Sequence, residues 1–300
     1  NLKPSHMKEL ISWLLKFEGV AFHFEVVGDL LTNDLLDFLE TVPTGMFQFE
    51  LGIQTTDQSS QKKIKRKQNN KKLFSAVERL TNLNIIHVHC DLIFGLPGES
   101  LDDILKSFEE VCVLLPHELQ LGFLKFLPGA PIKKMITEYG YKYQSTPPYE
   151  FISNNNLSAS QLNYLKKFEE VFDIFYNSKR FRFTVHHLFK KLSAVKIFNL
   201  LLEHMESNNL FNQPHSLNAQ YKIIHDTFTL NRNQTALDIL RLDYLYAQRV
   251  YRLPRFLEIE GARQKTWPGD KKTPLVPFLH TIQIDRGKAE IKPAASLQFC

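Results

Sequence analysis

Apolar residues recur along this chain with two different spacings, and the order of these spacings predicts alternating strands and helices. In Phe47–Thr55 (FQFELGIQT) apolar residues occupy every second position, as in a strand with one buried face. After Ser100 the apolar residues are instead three and four positions apart, which predicts an amphipathic helix. Strands joined by such helices form parallel sheets with right-handed crossovers.

Four strands and four helices are predicted in the first half of the chain. The predicted strands are Ala21–Leu30, Phe47–Thr55, Ile85–Phe94 and Leu119–Leu127. The predicted helices are Met7–Phe17, a short one capped by Thr32, Gln58–Leu83 with a polar interruption at Gln68–Asn70, and one capped by Ser100 with Asp103 at the capping-box position. We therefore expect an α/β fold, a partial (β/α) barrel of parallel strands.

After Lys133 the pattern changes and predicts a mainly helical region with a small terminal hairpin. The predicted segments are a loop at Tyr139–Tyr149, helices at Ser158–Tyr176, Phe181–Leu202 and Gln234–Val250, a polar loop at Ser207–Gln220, and the hairpin within Gly261–Cys300. We place the domain border after residue 150, which gives domains 1–150 and 151–300.

Composition narrows the functional classes only moderately. With 43% hydrophobic residues the 300-residue chain can bury a substantial core, and its net charge of +5 does not indicate a nucleic-acid binder. The three cysteines, Cys90, Cys112 and Cys300, are odd in number and far apart. A disulfide framework is therefore not expected. We instead expect a cytoplasmic protein without a membrane span or a secretory signal.

The first of two central strands carries polar residues on one face. With a period of two, Glu50, Gly52 and Gln54 share one face, and Leu51 and Ile53 share the face that meets the helices. Buried polar residues need partners, and a glycine lets a ligand approach the backbone. Two interpretations stay open, a ligand site or carboxylate and amide groups that satisfy neighbouring protein groups.

The second central strand has the same arrangement. His89 and Asp91 share the polar face, whereas Cys90 points toward the helices and is interpreted as a core residue. The following turn, Gly95–Glu99 (GLPGE), precedes a helix N-terminus, where anionic or polar groups bind favourably. Alone this turn is a weak signal, because such turns also serve only to reverse the chain.

These segments resemble the C-terminal part of a radical S-adenosylmethionine (SAM) core. The resemblance rests on four segments in the right order, FEVVGDLL (Phe24–Leu31), ELGIQT (Glu50–Thr55), DLIFGLPGES (Asp91–Ser100) and LQLGFLKFLPGAPI (Leu119–Ile132). They correspond to strands three to six of that partial barrel. The chain is most similar to the group that adds a cobalamin-binding domain and a C-terminal domain of unknown function.

The resemblance implies cofactors and site residues. It implies SAM bound beside a [4Fe-4S] cluster, radical chemistry on a small-molecule or unknown substrate, an electron donor such as flavodoxin or ferredoxin, and cobalamin held by another domain. The implied SAM-binding residues are Glu50, Gly52, Gln54, Asp91, Gly95, Leu96, Pro97, Gly98 and Glu99. Gly122 and Lys125 are placed at strand six, and no catalytic residue is assigned.

The sequence departs from that family in its cysteines. The cluster needs a CxxxCxxC loop, and the spacing of Cys90, Cys112 and Cys300 does not provide one, so no metal ligand is assigned to this chain. We therefore expect a fragment of a radical SAM enzyme that lacks the N-terminal cluster-binding part and is inactive alone.

Two other functions are compatible with the sequence. One is a (β/α)-barrel hydrolase or aldolase that uses Glu50, His89 and Asp91 as acid–base groups. The other is a non-catalytic RNA-binding module that uses the basic run Lys62–Lys72. This run lacks interleaved aromatic residues, and most such runs are solvated helix faces, so nucleic acid is not the favoured partner.

Overall fold

A computed structural model of the chain describes residues 3–230, 233–248 and 253–259 and the backbone of four terminal strands. Its contacts divide the chain into two compact units, Asn1–Lys167 and Phe168–Cys300, here called the N-terminal and C-terminal units. Nothing in this division tests the predicted domains 1–150 and 151–300, which stay a prediction.

The N-terminal unit alternates strands and helices. Its strands are β1 (Phe22–Glu25), β2 (Phe47–Gln54), β3 (His87–Phe94), β4 (Glu118–Phe123), β5 (Lys142–Tyr143) and β6 (Phe151–Ser153). Its helices are α1 (Pro4–Leu14), α2 (Asn33–Leu39), α3 (Gln58–Lys63), α4 (Asn70–Leu83), α5 (Leu101–Cys112), α6 (Ile136–Tyr139) and α7 (Ala159–Phe172), of which α7 continues into the C-terminal unit.

The C-terminal unit is helical and then forms strands. Its helices are α8 (Arg182–Phe189), α9 (Ala194–Ser207), α10 (Leu217–Thr227) and α11 (Gln234–Gln248). Its strands are β7 (Lys265–Trp267), β8 (Asp270–Leu275), β9 (Pro277–Asp285) and β10 (Lys288–Phe299). The pairs β7–β8 and β9–β10 are antiparallel, so the segments predicted as a terminal hairpin do pair with each other.

Strands β1 to β4 form one parallel sheet in the order of the sequence. The α/β prediction with four parallel strands and a mainly helical remainder is thus confirmed. One face of β2 and β3 is fully buried, with Phe49, Leu51, Ile53, Val88 and Cys90 all at 0% exposure. Burial of these apolar side chains under the helices is the main stabilisation of this sheet.

Local capping explains where several helices begin. The Thr32 hydroxyl accepts a hydrogen bond from the Leu35 N–H at 3.4 Å. At α5 the Ser100 hydroxyl accepts from the Asp103 N–H at 3.3 Å, and the Asp103 carboxylate accepts from the Ser100 N–H at 2.9 Å. Both predicted caps, including the capping box, are confirmed.

The first strand is shorter than predicted. β1 ends at Glu25, and Gly28–Leu30 forms a 3-10 turn. Gly28 is buried so closely that a Cβ there would lie 2.4 Å from a Leu73 methyl group and 2.6 Å from a Leu51 methyl group. Any side chain at position 28 would therefore collide with these two leucines.

Other boundaries also differ from the sequence prediction: the strand predicted at Leu119–Leu127 ends at Phe123, and the helix predicted at Gln58–Leu83 is the two helices α3 and α4. The predicted helix Phe181–Leu202 is two helices, since Ser193 caps a new one by accepting from the Lys196 N–H at 3.2 Å. The predicted loop Tyr139–Tyr149 contains the end of α6 and the strand β5, which pairs with β6. Helix α10 begins at Leu217, inside the predicted polar loop.

None of the described helices is both long enough and apolar enough to cross a bilayer.

Candidate functional site at the polar face of the sheet

The polar face of the sheet is the face opposite the helix-packed core. The register of β1 to β4 places Glu25, Glu50, His89 and Glu118 in one row across the four strands. The next row toward the carboxyl ends holds Gly52, Asp91 and Gln120. The predicted residues Glu50, Gly52 and Asp91 are therefore brought together, at the edge where ligands bind in parallel α/β folds.

Gln54 closes the polar face at the end of β2. Its backbone has a φ of 68°, and its side chain folds back so that a Cβ on Gly52 would lie 2.7 Å from Nε2. The Oε1 atom of Gln54 is buried and has no hydrogen-bond partner within the described residues. A buried acceptor without a donor is costly, so this atom marks a place for a ligand N–H or O–H group.

Histidine–carboxylate pairs cover the rest of this face. Nε2 of His23 lies 2.9 Å from Glu50 Oε2, and Nε2 of His89 lies 3.1 Å from Asp91 Oδ1. Neither of the last two atoms has a hydrogen-bond partner of normal geometry among the described residues, so the contact between them is an ion pair. The interaction with Asp91 is the largest cause that raises the pKa of His89, although partial burial opposes it.

The Gly95–Glu99 turn is wrapped by side chains of the protein itself. Gly95 has a φ of 91°, and a Cβ there would lie 2.3 Å from the Phe151 ring. Gly98 has a φ of 79°, and a Cβ there would lie 1.8 Å from Lys63 Nζ. Glycine at both positions allows the left-handed conformation and the close approach. Leu96, like Gly95 and Pro97, is buried.

Glu99 lies inside this turn and is only 1% exposed. Its Oε2 accepts a hydrogen bond from the Leu96 N–H at 3.2 Å. Burial raises the pKa of Glu99 to about 7, against the hydrogen bonds from Thr55 and Leu96. The structure therefore places Glu99 as a group that shapes the turn, and its assignment to SAM binding stays a prediction.

A buried polar network ties the end of β2 to the surrounding helices. The Thr56 N–H donates to the Ser107 hydroxyl on α5 at 3.1 Å. The Gln61 amide on α3 donates to the Thr55 carbonyl at 2.8 Å, and the Asn70 amide on α4 donates to the Thr56 carbonyl at 2.8 Å. Because every link is a hydrogen bond between elements, the rim next to Gln54 is held rigidly.

Arg66 is a site residue that the sequence analysis missed. Its guanidinium donates to the Gly52 carbonyl and, at 2.8 Å, to the Gln68 amide oxygen. Partial burial lowers the pKa of Arg66, while the charge of Asp29 raises it. The available signal was the predicted polar interruption at Gln68–Asn70, which follows this residue closely; α3 itself ends at Lys63. Arg66 therefore does not continue a solvated helix face but lies in the connection that returns over β2.

Cys90 and Cys112 do not fit an iron–sulfur cluster, and Cys300 lies outside the described residues. Cys90 and Cys112 are fully buried, and burial raises the pKa of both thiols, which disfavours the thiolate that iron binds. Among the described residues no group of three His, Cys, Asp or Glu side chains could hold a metal ion. Near Gly52 the described residues instead offer the Gln54 Oε1 atom, an acceptor without a hydrogen-bond partner among them, and the Arg66 cation.

Two protein families match different parts of the chain. Residues 2–111 match the radical SAM superfamily, and residues 137–271 match a protein family of unknown function, DUF4080. The second match agrees with the expected C-terminal domain of unknown function in a radical SAM protein.

Curated relatives match part of the chain. The heme chaperone HemW of Buchnera aphidicola subsp. Acyrthosiphon pisum is 28% identical over 168 residues, which are 55% of this chain and 42% of that protein. The oxygen-independent coproporphyrinogen III oxidase of Pseudomonas aeruginosa is 31% identical over 136 residues, 42% of this chain and 28% of that protein. The chain thus spans less than half the length of these relatives.

One solved structure is also similar. Coproporphyrinogen III oxidase (HemN) from Escherichia coli, a radical SAM enzyme, aligns with 45% of this chain and 38% of its own. The identity is 21% and the TM-score is 0.35. The fold assignment here rests on the parallel sheet itself.

Proposed function

We propose that this chain is the SAM-binding part of a radical SAM enzyme, with SAM on the polar face at the carboxyl ends of β2 and β3. The observation that carries the proposal is the partnerless Gln54 Oε1 beside Gly52, in a radical SAM segment. A ligand donor at this atom would satisfy it. SAM offers hydroxyl and ammonium donors for that purpose.

The carboxylate and the ammonium group of SAM would each have a complementary group at this edge. The Arg66 guanidinium would hold the carboxylate of the methionine part, as its geometry suits carboxylates. Glu50, with the neighbouring Glu25, would hold the ammonium group. Gln54 and Asp91 would accept hydrogen bonds from the ribose hydroxyls.

When bound next to a reduced [4Fe-4S] cluster, SAM supplies a 5′-deoxyadenosyl radical. Among the described residues Cys90 and Cys112 do not fit that cluster, so the residues of this chain are assigned to binding and orienting SAM only. An electron donor such as flavodoxin or ferredoxin, a cobalamin site elsewhere, and a cytoplasmic location remain predictions. The names of the curated relatives make porphyrins the first substrates to test for the whole protein.

The two alternatives use parts of the same unit. A hydrolase or aldolase would use the His89–Asp91 pair, which lies 3.1 Å apart, as its acid–base group. An RNA-binding module would use the exposed lysines of the run, such as Lys65 and Lys67, whereas Arg66 is turned toward Gly52. The radical SAM match of residues 2–111 supports SAM binding over both.

Equilibrium dialysis of labelled SAM against the full chain tests the proposal. We expect saturable binding that weakens about tenfold or more in Arg66→Gln, because a charged hydrogen-bond donor to the carboxylate is lost. Lys67→Gln removes the same charge from the exposed neighbour and is the matched control. Absence of binding by the wild-type chain, or equal losses in both variants, would contradict the proposal.

A further inference from the structure

His89 lies among carboxylate side chains on the polar face of the sheet. In the row that crosses β1 to β4 it stands between Glu50 and Glu118, with Glu25 beyond Glu50. Asp91 follows it on the same face of β3. An imidazole at this point is surrounded by carboxylates on its own strand and on both neighbouring strands.

The neighbouring carboxylates already have histidine partners of their own. Glu50 is paired with His23 at 2.9 Å, and Glu118 lies 3.8 Å from His87. Among the described residues the ion-pair partner of Asp91 is His89, at 3.1 Å. The pair is also the most enclosed of the three, with side-chain exposures of 13% for His89 and 17% for Asp91.

We propose that His89 is a positioning residue that, in its protonated form, holds Asp91 for hydrogen bonding to the ribose diol of SAM. The inference rests on the proposed function and adds a residue outside the set predicted to bind SAM. The imidazolium engages Oδ1 of Asp91 and leaves Oδ2 as the acceptor for a ligand hydroxyl group. Loss of the proton removes the charged contact that orients the carboxylate.

This arrangement sets the sign of a pH dependence. The pKa of His89 is raised above its ordinary value, chiefly by Asp91 and further by the charges of Glu118 and Glu50. The charged form therefore persists to higher pH, and SAM affinity falls as pH rises through that pKa. By linkage, SAM binding must raise the pKa of His89 in return.

Calorimetric SAM titrations between pH 5.5 and 8.5 test the inference on the full chain. We expect wild-type affinity to fall about five- to tenfold across this range, the difference between a charged and a neutral hydrogen bond. His89→Gln keeps a donor but cannot titrate, so its affinity stays flat. His87→Gln, on the same face of β3 beside Glu118, is the matched control and keeps the wild-type slope.

A second measurement uses the wild-type chain and therefore does not require that a variant folds. NMR titration of the His89 ring in the wild-type chain should show a higher pKa with SAM than without, and Asp91→Asn should lower it. The inference is overturned, and the proposed function is not, if His89→Gln retains the wild-type pH slope or if saturating SAM leaves the pKa of His89 unchanged. Absence of SAM binding by the wild-type chain at every pH overturns the proposed function, and the inference with it.

Discussion

The two faces of the parallel sheet are built from the same strands by different physical rules. On the helix-packed face Phe49, Leu51 and Cys90 are fully buried, and each contributes through the apolar area that it removes from water. On the polar face Glu50 and Asp91 are partly exposed and are arranged by ion pairs with histidines. Partly exposed ion pairs contribute little to stability, so the polar face is organised for binding.

This difference predicts that substitutions on the helix-packed face of β2 and β3 lower the free energy of unfolding, whereas substitutions on the polar face lower ligand affinity. Three sets of substitutions test the two faces and the turn that follows β3. They are ordered by the size of their expected effect on the free energy of unfolding.

Phe49→Ala should have the largest effect. It removes a fully buried ring between the sheet and its helices, and we expect a loss of about 3–5 kcal/mol in the free energy of unfolding. Gln48→Ala, one position earlier on the polar face, is the control and should change it by less than about 1 kcal/mol. Chemical denaturation with urea measures both, and similar losses would erase the contrast between the two faces.

Glu99→Gln should change how stability depends on pH. The carboxyl group has a folded pKa of about 7, above its ordinary value, so the folded chain binds more protons than the unfolded chain. The contribution of Glu99 to stability is therefore present at pH 4.5 and is lost as pH rises toward 7 and beyond. The loss amounts to about 3–4 kcal/mol.

The amide cannot titrate, so Glu99→Gln should be the more stable form at pH 8 by a similar amount. Thermal and urea unfolding at pH 5 and pH 8 check this. Asp103→Asn serves as the control, because hydrogen bonds from Ser100 lower the pKa of that carboxyl group instead. A pH profile of Glu99→Gln that parallels the wild type would contradict the prediction.

Neighbours on opposite faces of β3 should show opposite phenotypes. Cys90→Ala should cost about 1–2 kcal/mol of stability, by loss of buried volume, and leave SAM affinity unchanged. Asp91→Asn should change stability by less than about 1 kcal/mol and weaken SAM binding about tenfold. Urea unfolding and equilibrium dialysis on both variants decide this, and a shared phenotype would contradict it.

The sheet was predictable because its signals are local. Alternation in β2 and β3 assigned each side chain to a face, and Ser100 with Asp103 marked the start of α5. These features depend on residues within a few positions of one another, so one sequence suffices to recognise them. The assignment of Cys90 to the core followed from the same alternation and is confirmed.

The site was only partly predictable because its contacts join distant segments. Arg66 hydrogen-bonds the Gly52 carbonyl, 14 positions earlier in the sequence. Phe151 covers Gly95, although α5 and β4 lie between these two residues in the sequence. The histidine–carboxylate pairs depend on register, which brings His23 to Glu50 although 27 positions separate them. No periodicity in the sequence encodes which of these side chains meet.

The sequence by itself determined that a parallel sheet with a buried and a polar face would form, because burial of apolar side chains follows from the period of the chain. Only the tertiary structure decided what the polar face can bind. The strand register put His89 among carboxylates, and the connection between α3 and α4 placed the Arg66 cation beside Gln54. Coulomb and hydrogen-bond energies depend on distances between atoms, and those distances are set when the strands and their connections pack together.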